Sequence, residues 1–165
     1  MAAMTREAFL ENIKSHTLHM YRLAFSILRN PQDAEDAVSE AVLRAYENLG
    51  TLRSEVRFKA WVLQITANEA KKLYGKNKRM STVAWEDYMS DYMSDNMSPA
   101  FYDEHHELWD AVMKLDDDFR DVIVLFYYEQ FSIREIAKIL KCREGTVKSR
   151  MHRAKGQLRE MLQEQ

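Results

Sequence analysis

The densest run of side chains able to meet a charged partner lies near the C-terminus. Between 141 and 159 stand seven basic residues and one acidic one. Within that run Lys148, Ser149, His152 and Arg153 fall on one side at helical spacing, with Lys155 and Arg159 continuing it. Val147, Met151, Ala154, Leu158 and Met161/Leu162 recur on the opposite side at i, i+4, i+7, i+11 and i+14/15. Cations and a small hydroxyl on the outer face of a helix suit DNA. The major groove admits a helix, Arg and Lys meet phosphates or guanine edges, and Ser meets either. A second basic series reads Arg57, Gln64, Asn68, Lys71 and Lys72, followed by Lys76, Lys78 and Arg79. It mixes charge with amide groups, the mixture that tracks an unpaired strand and holds its bases.

Catalytic constellations are missing from this reading. His16 with His19, and His105 with His106, have no Cys or carboxylate set completing a metal site. Asp116, Asp117 and Asp118 read as a helix boundary, and Cys142 falls in a turn without a base partner. There is no phosphate-binding glycine loop and no serine elbow. The expectation is therefore a non-enzymatic protein with no metal and no cofactor.

The elements that must hold these groups read as helices. Leu18, Tyr21, Phe25 and Leu28, widened by Met20, Leu23 and Ile27, give an apolar face from 16 to 29. Asn30 and Pro31 suit the cap and first position of the next helix, and Asp33, Glu35 and Asp36 suit the positive end of its dipole. Ala34, Ala37, Val38, Ala41, Val42 and Ala45 then make a stripe small enough for close packing, and Gly50 is expected to end this helix. After a polar loop at 51–55, with Ser54 a candidate cap, Phe58, Trp61, Val62, Ile65 and Leu73 form the expected buried face of a third helix. That assignment puts Trp61 in the core in preference to a base-stacking role.

From 105 onward helices resume. Leu108, Trp109, Val112 and Met113 make an apolar face, and FRDVIVLFYYEQF (119–131) reads as a buried helix. Ser132-Ile133-Arg134-Glu135 has the capping-box pattern. Ile133, Ile136, Ala137 and Leu140 then line a short helix, the chain breaks at Lys141-Cys142-Arg143, and the basic helix follows. Two short helices around a tight break, the second one basic, form a DNA-binding helix-turn-helix.

Taken as a sum, charge opposes this. The 165 residues carry 24 Lys and Arg against 26 Asp and Glu, net −2. Yet residues 1–80 hold 13 basic and 9 acidic residues, 81–104 hold 6 acidic and no basic ones, and 132–165 hold 9 basic and 4 acidic ones. The small total hides two basic regions with acid between them. The acidic stretch includes DYMS, DYMS and DNMS in tandem over 87–98, a low-complexity segment read as a linker. Four glycines and two prolines leave little room for a small all-β fold, and one cysteine suits a reducing compartment. No apolar run approaches the roughly 18–20 residues of a membrane span, and the first residues have no signal-peptide core. A membrane protein is not expected, and the bacterial cytoplasm is the expected location.

These motifs together resemble the bacterial RNA polymerase sigma factors of the extracytoplasmic-function (ECF) type. The resemblance rests on RLAFSILRNPQDAEDAVSEAVLRAYENL (22–49), FKAWVLQITANEAKK (58–72), FSIREIAKIL (131–140) and EGTVKSRMHRAKGQLREML (144–162), in the family's order. It implies an all-α fold of two small helical domains joined by a flexible acidic linker, the C-terminal one containing the helix-turn-helix. Residues 1–80 would bind the core polymerase clamp on the β′ subunit and the promoter −10 element. Residues 81–104 would be the linker, threading the polymerase's active-site channel. Residues 105–165 would bind the flap of the β subunit and the −35 element. On this resemblance Asp33, Asp36, Glu40 and Arg44 grip the clamp, the loop from Leu52 to Val56 holds a flipped −10 base, and Asn68 and Lys72 lie on the promoter-facing side of the next helix; the basic, amide-bearing face they share with Arg57, Gln64 and Lys71 is the expected −10 surface. Lys148, Ser149, His152 and Arg153 read the −35 element, with Arg143 and Arg150 near phosphates. The implied partners are core RNA polymerase, promoter DNA and an anti-sigma factor, often membrane-anchored in this family. The implied function is initiation at the promoters of a stress or envelope-response regulon.

The chain departs from the family pattern at Ser39 and Val42, where Gln and Phe are common, and at Tyr46, where Trp is common. Lys141 replaces the usual turn glycine, and His152 is unusual for base reading. Two other functions share the residue pattern. One is a conventional helix-turn-helix regulator with an N-terminal sensor or dimerisation domain. The other is a helical scaffold whose basic faces bind acidic proteins.

Overall fold

The computed structural model describes residues 4–76 and 107–163, and the linker expected at 81–104 lies outside the described residues, as do Lys78, Arg79, His105 and His106. The chain divides into two compact units, residues 1–80 and 81–165. Every regular element among the described residues is helical.

The first unit is built from α1 (Arg6–Leu28), α2 (Pro31–Glu47) and α3 (Phe58–Lys76), each packed on the other two. Thr5 caps α1 by accepting a hydrogen bond from the Ala8 N–H, and Arg29 ends it in the left-handed region at φ 55°. Asn30 follows at once as the cap of α2, its Oδ1 accepting from the Asp33 N–H at 3.0 Å. The Tyr21 hydroxyl donates to the Pro31 carbonyl, fixing this tight corner from inside. Helix α1 starts earlier than the apolar series at 16–29 suggests, and it buries Arg22 and Ser26 along with its apolar residues.

The stripe of α2 is as the spacing predicts. Ala34, Ala37, Ala41 and Ala45 are buried, and Val38 and Val42 lie at its half-buried margin. Asn48, not Gly50, ends α2. Its Nδ2 and its backbone N–H both donate to the Arg44 carbonyl, at 2.8 and 3.0 Å. Gly50 lies in the following 3-10 turn, Leu49–Thr51, without a positive φ. Ser54 makes no side-chain cap bond either; it precedes a second such turn, Glu55–Arg57, that runs into α3.

Helix α3 is rotated from its expected register. Its buried residues are Phe58, Val62, Leu63, Thr66, Ala67 and Ala70, while Trp61, Ile65 and Leu73 are only half-buried. Ala67, Ala70 and Thr66 take inner positions beside Phe58, Val62 and Leu63, and Trp61, Ile65 and Leu73 fall at the margin of that stripe.

The second unit begins with helical residues at 107–113 (α4), in which Trp109, Val112 and Met113 are buried. Then come α5 (Asp117–Ile123), a π turn at Val124–Tyr128, α6 (Ile133–Leu140) and α7 (Glu144–Gln163). The expected single helix over 119–131 is thus interrupted. The Glu129 N–H reaches Val124 O and the Phe131 N–H reaches Leu125 O, both at 3.0 Å. Gln130, at φ 61°, then reverses the chain into the cap of α6. Burial holds from Arg120 to Leu125 and relaxes at Phe126 and Tyr127. Arg120 is wholly buried, donating to the Leu115 carbonyl at 2.8 Å and to Asp117 Oδ1 at 2.5 Å.

Candidate nucleic-acid interface

The helix-turn-helix is set by local chemistry at each joint. Ser132 Oγ accepts from the Glu135 N–H and Glu135 Oε1 accepts from the Ser132 N–H, each at 3.1 Å, completing the capping box. Ile136, Ala137, Ile139 and Leu140 are buried beneath α6. Lys141 is left-handed at φ 56°, ψ 48°. Its N–H reaches Lys138 O and the Cys142 N–H reaches Ala137 O, the paired bonds of a Schellman motif. That motif gives Cys142 a structural role at the turn. The Arg143 carbonyl then accepts the first helical bond of α7, from the Val147 N–H.

Helix α7 buries Val147, Met151, Ala154 and Leu158. Lys148, Ser149, His152 and Arg153 are all exposed on the other side, and Arg143 is exposed at its start. The remaining cations of α7 point elsewhere. Arg150 is half-buried at the flank and pairs with Asp118 on α5, Nη2 to Oδ2 at 3.5 Å. Lys155 lies over the Tyr127 ring, 5.8 Å from its centroid. Lys155 and Arg159 rim an apolar groove of about 260 Å³ lined by Leu108, Ile123, Tyr127, Tyr128, Leu158 and Leu162. The outer basic face read from sequence is therefore two surfaces: a polar one centred on Ser149 and His152, and an apolar groove edged by cations.

In the first unit, hydrogen bonds tie down the loop before α3. Asn12 Nδ2 donates to Glu55 Oε1 at 3.1 Å, and Trp61 Nε1 donates to Thr51 Oγ1 at 3.1 Å. Just past the Glu55 tie Val56 is 94% exposed, and Arg53 and Arg57 are exposed nearby in the chain. Trp61 lies against Phe58 at the edge of the core, 5.6 Å between ring centroids, instead of inside it. It falls on the same side of α3 as Gln64, Asn68, Lys71 and Lys72, the first two half-exposed and the lysines exposed. His16 and His19 are occupied within α1. The His16 Nδ1 donates to the Asn12 carbonyl and the His19 Nδ1 accepts from Arg22. Among the described residues no group of three or more His, Cys, Asp or Glu could hold a metal ion.

On α2, Asp36, Glu40 and Arg44 are exposed and Asp33 is half-buried at the helix start. A groove of about 290 Å³ between α2 and α3 is lined by Asp36, Ala37, Glu40, Glu69, Lys72, Leu73 and Lys76. Glu69, not singled out from the sequence, joins its two walls. Its Oε1 lies 3.4 Å from Lys72 Nζ and 3.8 Å from Arg44 Nε. Arg44 of α2 and Lys72 of α3, expected from the sequence to serve different partners, thus meet at one carboxylate. Its position three residues before Lys72, an acid in a basic face, was the signal available to find it.

The comparisons with known proteins follow the same division. Residues 13–80 match the model of Sigma-70 region 2, and residues 105–158 match that of Sigma-70, region 4. The ECF RNA polymerase sigma factor EcfG of Rhodopseudomonas palustris is 32% identical over 139 residues, 84% of this chain and 76% of its own. The ECF RNA polymerase sigma factor SigW of Bacillus subtilis is 28% identical over 170 residues, 96% of this chain and 91% of its own. Among solved structures, the sigma factor RpoE of Bartonella quintana, in complex with the anti-sigma factor NepR, shares the fold. Its TM-score is 0.68 at 21% identity, covering 94% of this chain and 96% of that one.

Proposed function

The chain belongs to the ECF RNA polymerase sigma factors, and from that premise we propose how its residues divide the work. It is an alternative sigma factor that binds core RNA polymerase and promoter DNA and directs transcription initiation. The observation that carries the assignment of residues is the outer face of α7. Lys148, Ser149, His152 and Arg153 stand exposed together on a helix whose entry is held by the capping box and the Schellman turn. That face reads the −35 element, with Arg143 at a flanking phosphate. Arg150, expected near a phosphate beside this set, is paired with Asp118.

In the first unit Asp33, Asp36, Glu40 and Arg44 bind the clamp of the β′ subunit. The pinned loop with Val56 and Arg57, and the face bearing Gln64, Asn68, Lys71 and Lys72, take the −10 element. The groove rimmed by Lys155 and Arg159 suits an amphipathic segment of the β flap, its apolar lining supplying area and its cations selecting an acidic edge. No residue is assigned a catalytic role. An anti-sigma factor is a further partner, as it is for the structural neighbour from Bartonella quintana. The setting is the bacterial cytoplasm; among the described residues no helix is long and apolar enough to cross a membrane. The regulon is a stress or envelope-response one.

The regulator alternative expects a sensor or dimerisation domain at the front, where the chain instead matches region 2 of the sigma-70 family. Reconstitution is the test. The full chain is mixed with bacterial core RNA polymerase and a library of promoter fragments, and template-specific transcripts are expected only when it is present. No association with core polymerase would overturn the reading.

A further inference from the structure

The Asp118–Arg150 pair is not explained by fold stability. Asp118 is 69% exposed and Arg150 27% exposed, with 3.5 Å between the charges. A pair so exposed contributes little, since screening and side-chain entropy offset most of its attraction. Yet Arg150 adjoins Ser149 on α7, one position from the face that meets DNA, and Asp118 projects its carboxylate beside that helix. A free arginine there would reach the phosphate backbone. Phosphate contacts strengthen binding to every sequence alike.

We propose that Asp118 limits the sequence-independent affinity of the chain for DNA: it holds Arg150 in an intramolecular pair and withholds that cation from DNA phosphates. Sequence-independent affinity is lowered, while Lys148, Ser149, His152 and Arg153 keep their access to bases. Discrimination between sequences stays with those base contacts, while the grip of the chain on DNA of every sequence is weakened alike. This rests on α7 being the DNA-reading helix.

The test is a salt titration of the full chain on duplex DNA of random sequence. Asp118→Asn frees Arg150, so the plot of log affinity against log salt steepens by about 0.9; the variant then gains about eightfold more affinity than the native chain per tenfold drop in salt. Asp118→Ser steepens it equally, and thermal unfolding reports whether each variant is folded. Asp116→Asn makes the same change in net charge at an exposed side chain with no capping bond, and leaves the slope as it is. Adding Arg150→Ala to Asp118→Asn abolishes the gain. The proposal is overturned if folded Asp118 variants keep the native slope, if Asp116→Asn steepens it equally, or if the double variant retains the gain. Salt-dependent binding by the native chain with no change on replacing Asp118 overturns the proposal alone. Absence of salt-dependent binding by every form overturns the DNA-reading role of α7 as well.

Discussion

Lys141 shows how much a single backbone angle decides. The turn of the helix-turn-helix needs a left-handed residue, and the chain places a lysine there at φ 56°. A Cβ in that region costs roughly 1–2 kcal/mol, part of which the greater chain entropy of glycine offsets when it is substituted. Lys141→Gly should therefore raise stability by roughly 1 kcal/mol, read as a shift of the denaturant midpoint. A midpoint that falls would mean the lysine side chain makes a compensating contact. The break itself was legible in Lys141-Cys142-Arg143, and so was the capping box, because both depend on near neighbours. Glu69 and Asp118 were not legible as partners. Glu69 meets Arg44 from another helix, and Asp118 meets Arg150 thirty-two positions along the chain. Nothing in local spacing encodes either meeting.

At the scale of elements, α2 and α3 carry opposite lessons. The stripe of α2 was readable because alanines at i, i+3, i+7 and i+11 from Ala34 have one plausible use, and all four are buried. Helix α3 misled because apolar spacing does not by itself fix the inner face: Ala67 and Ala70 go in beside Phe58, Val62 and Leu63, while Trp61 and Ile65 stay at the margin. Apolarity alone favours the larger side chains; packing against a close neighbour favours the smaller ones. Ala41 has no exposed surface, so Ala41→Leu should cost about 1–3 kcal/mol by overpacking. Thermal or denaturant unfolding of the full chain would register the loss. A variant as stable as the native chain would show that the helices of this unit can separate at little cost, and would undo the reading of the α2 stripe as a close contact.

For the whole molecule, the near-zero charge is the quantity that invites the wrong conclusion. A net −2 would repel DNA weakly if the charge were spread evenly. Fields in salt reach only about 8 Å at physiological ionic strength, so a phosphate responds to the cations near it and not to the total. Two single substitutions with the same effect on net charge separate these views. Lys148 and Lys14 are both exposed, the first on the outer face of α7 and the second on α1, outside every set assigned to DNA. Lys148→Ala should flatten the salt dependence of DNA binding by about 0.9 if the lysine meets a phosphate, or relax discrimination at one base position if it meets a base edge. Lys14→Ala should do neither. Equal effects from the two would mean that total charge governs binding after all. The basic faces of α3 and α7 would then lose their special standing, because their value lies in where the cations sit and not in how many the chain carries.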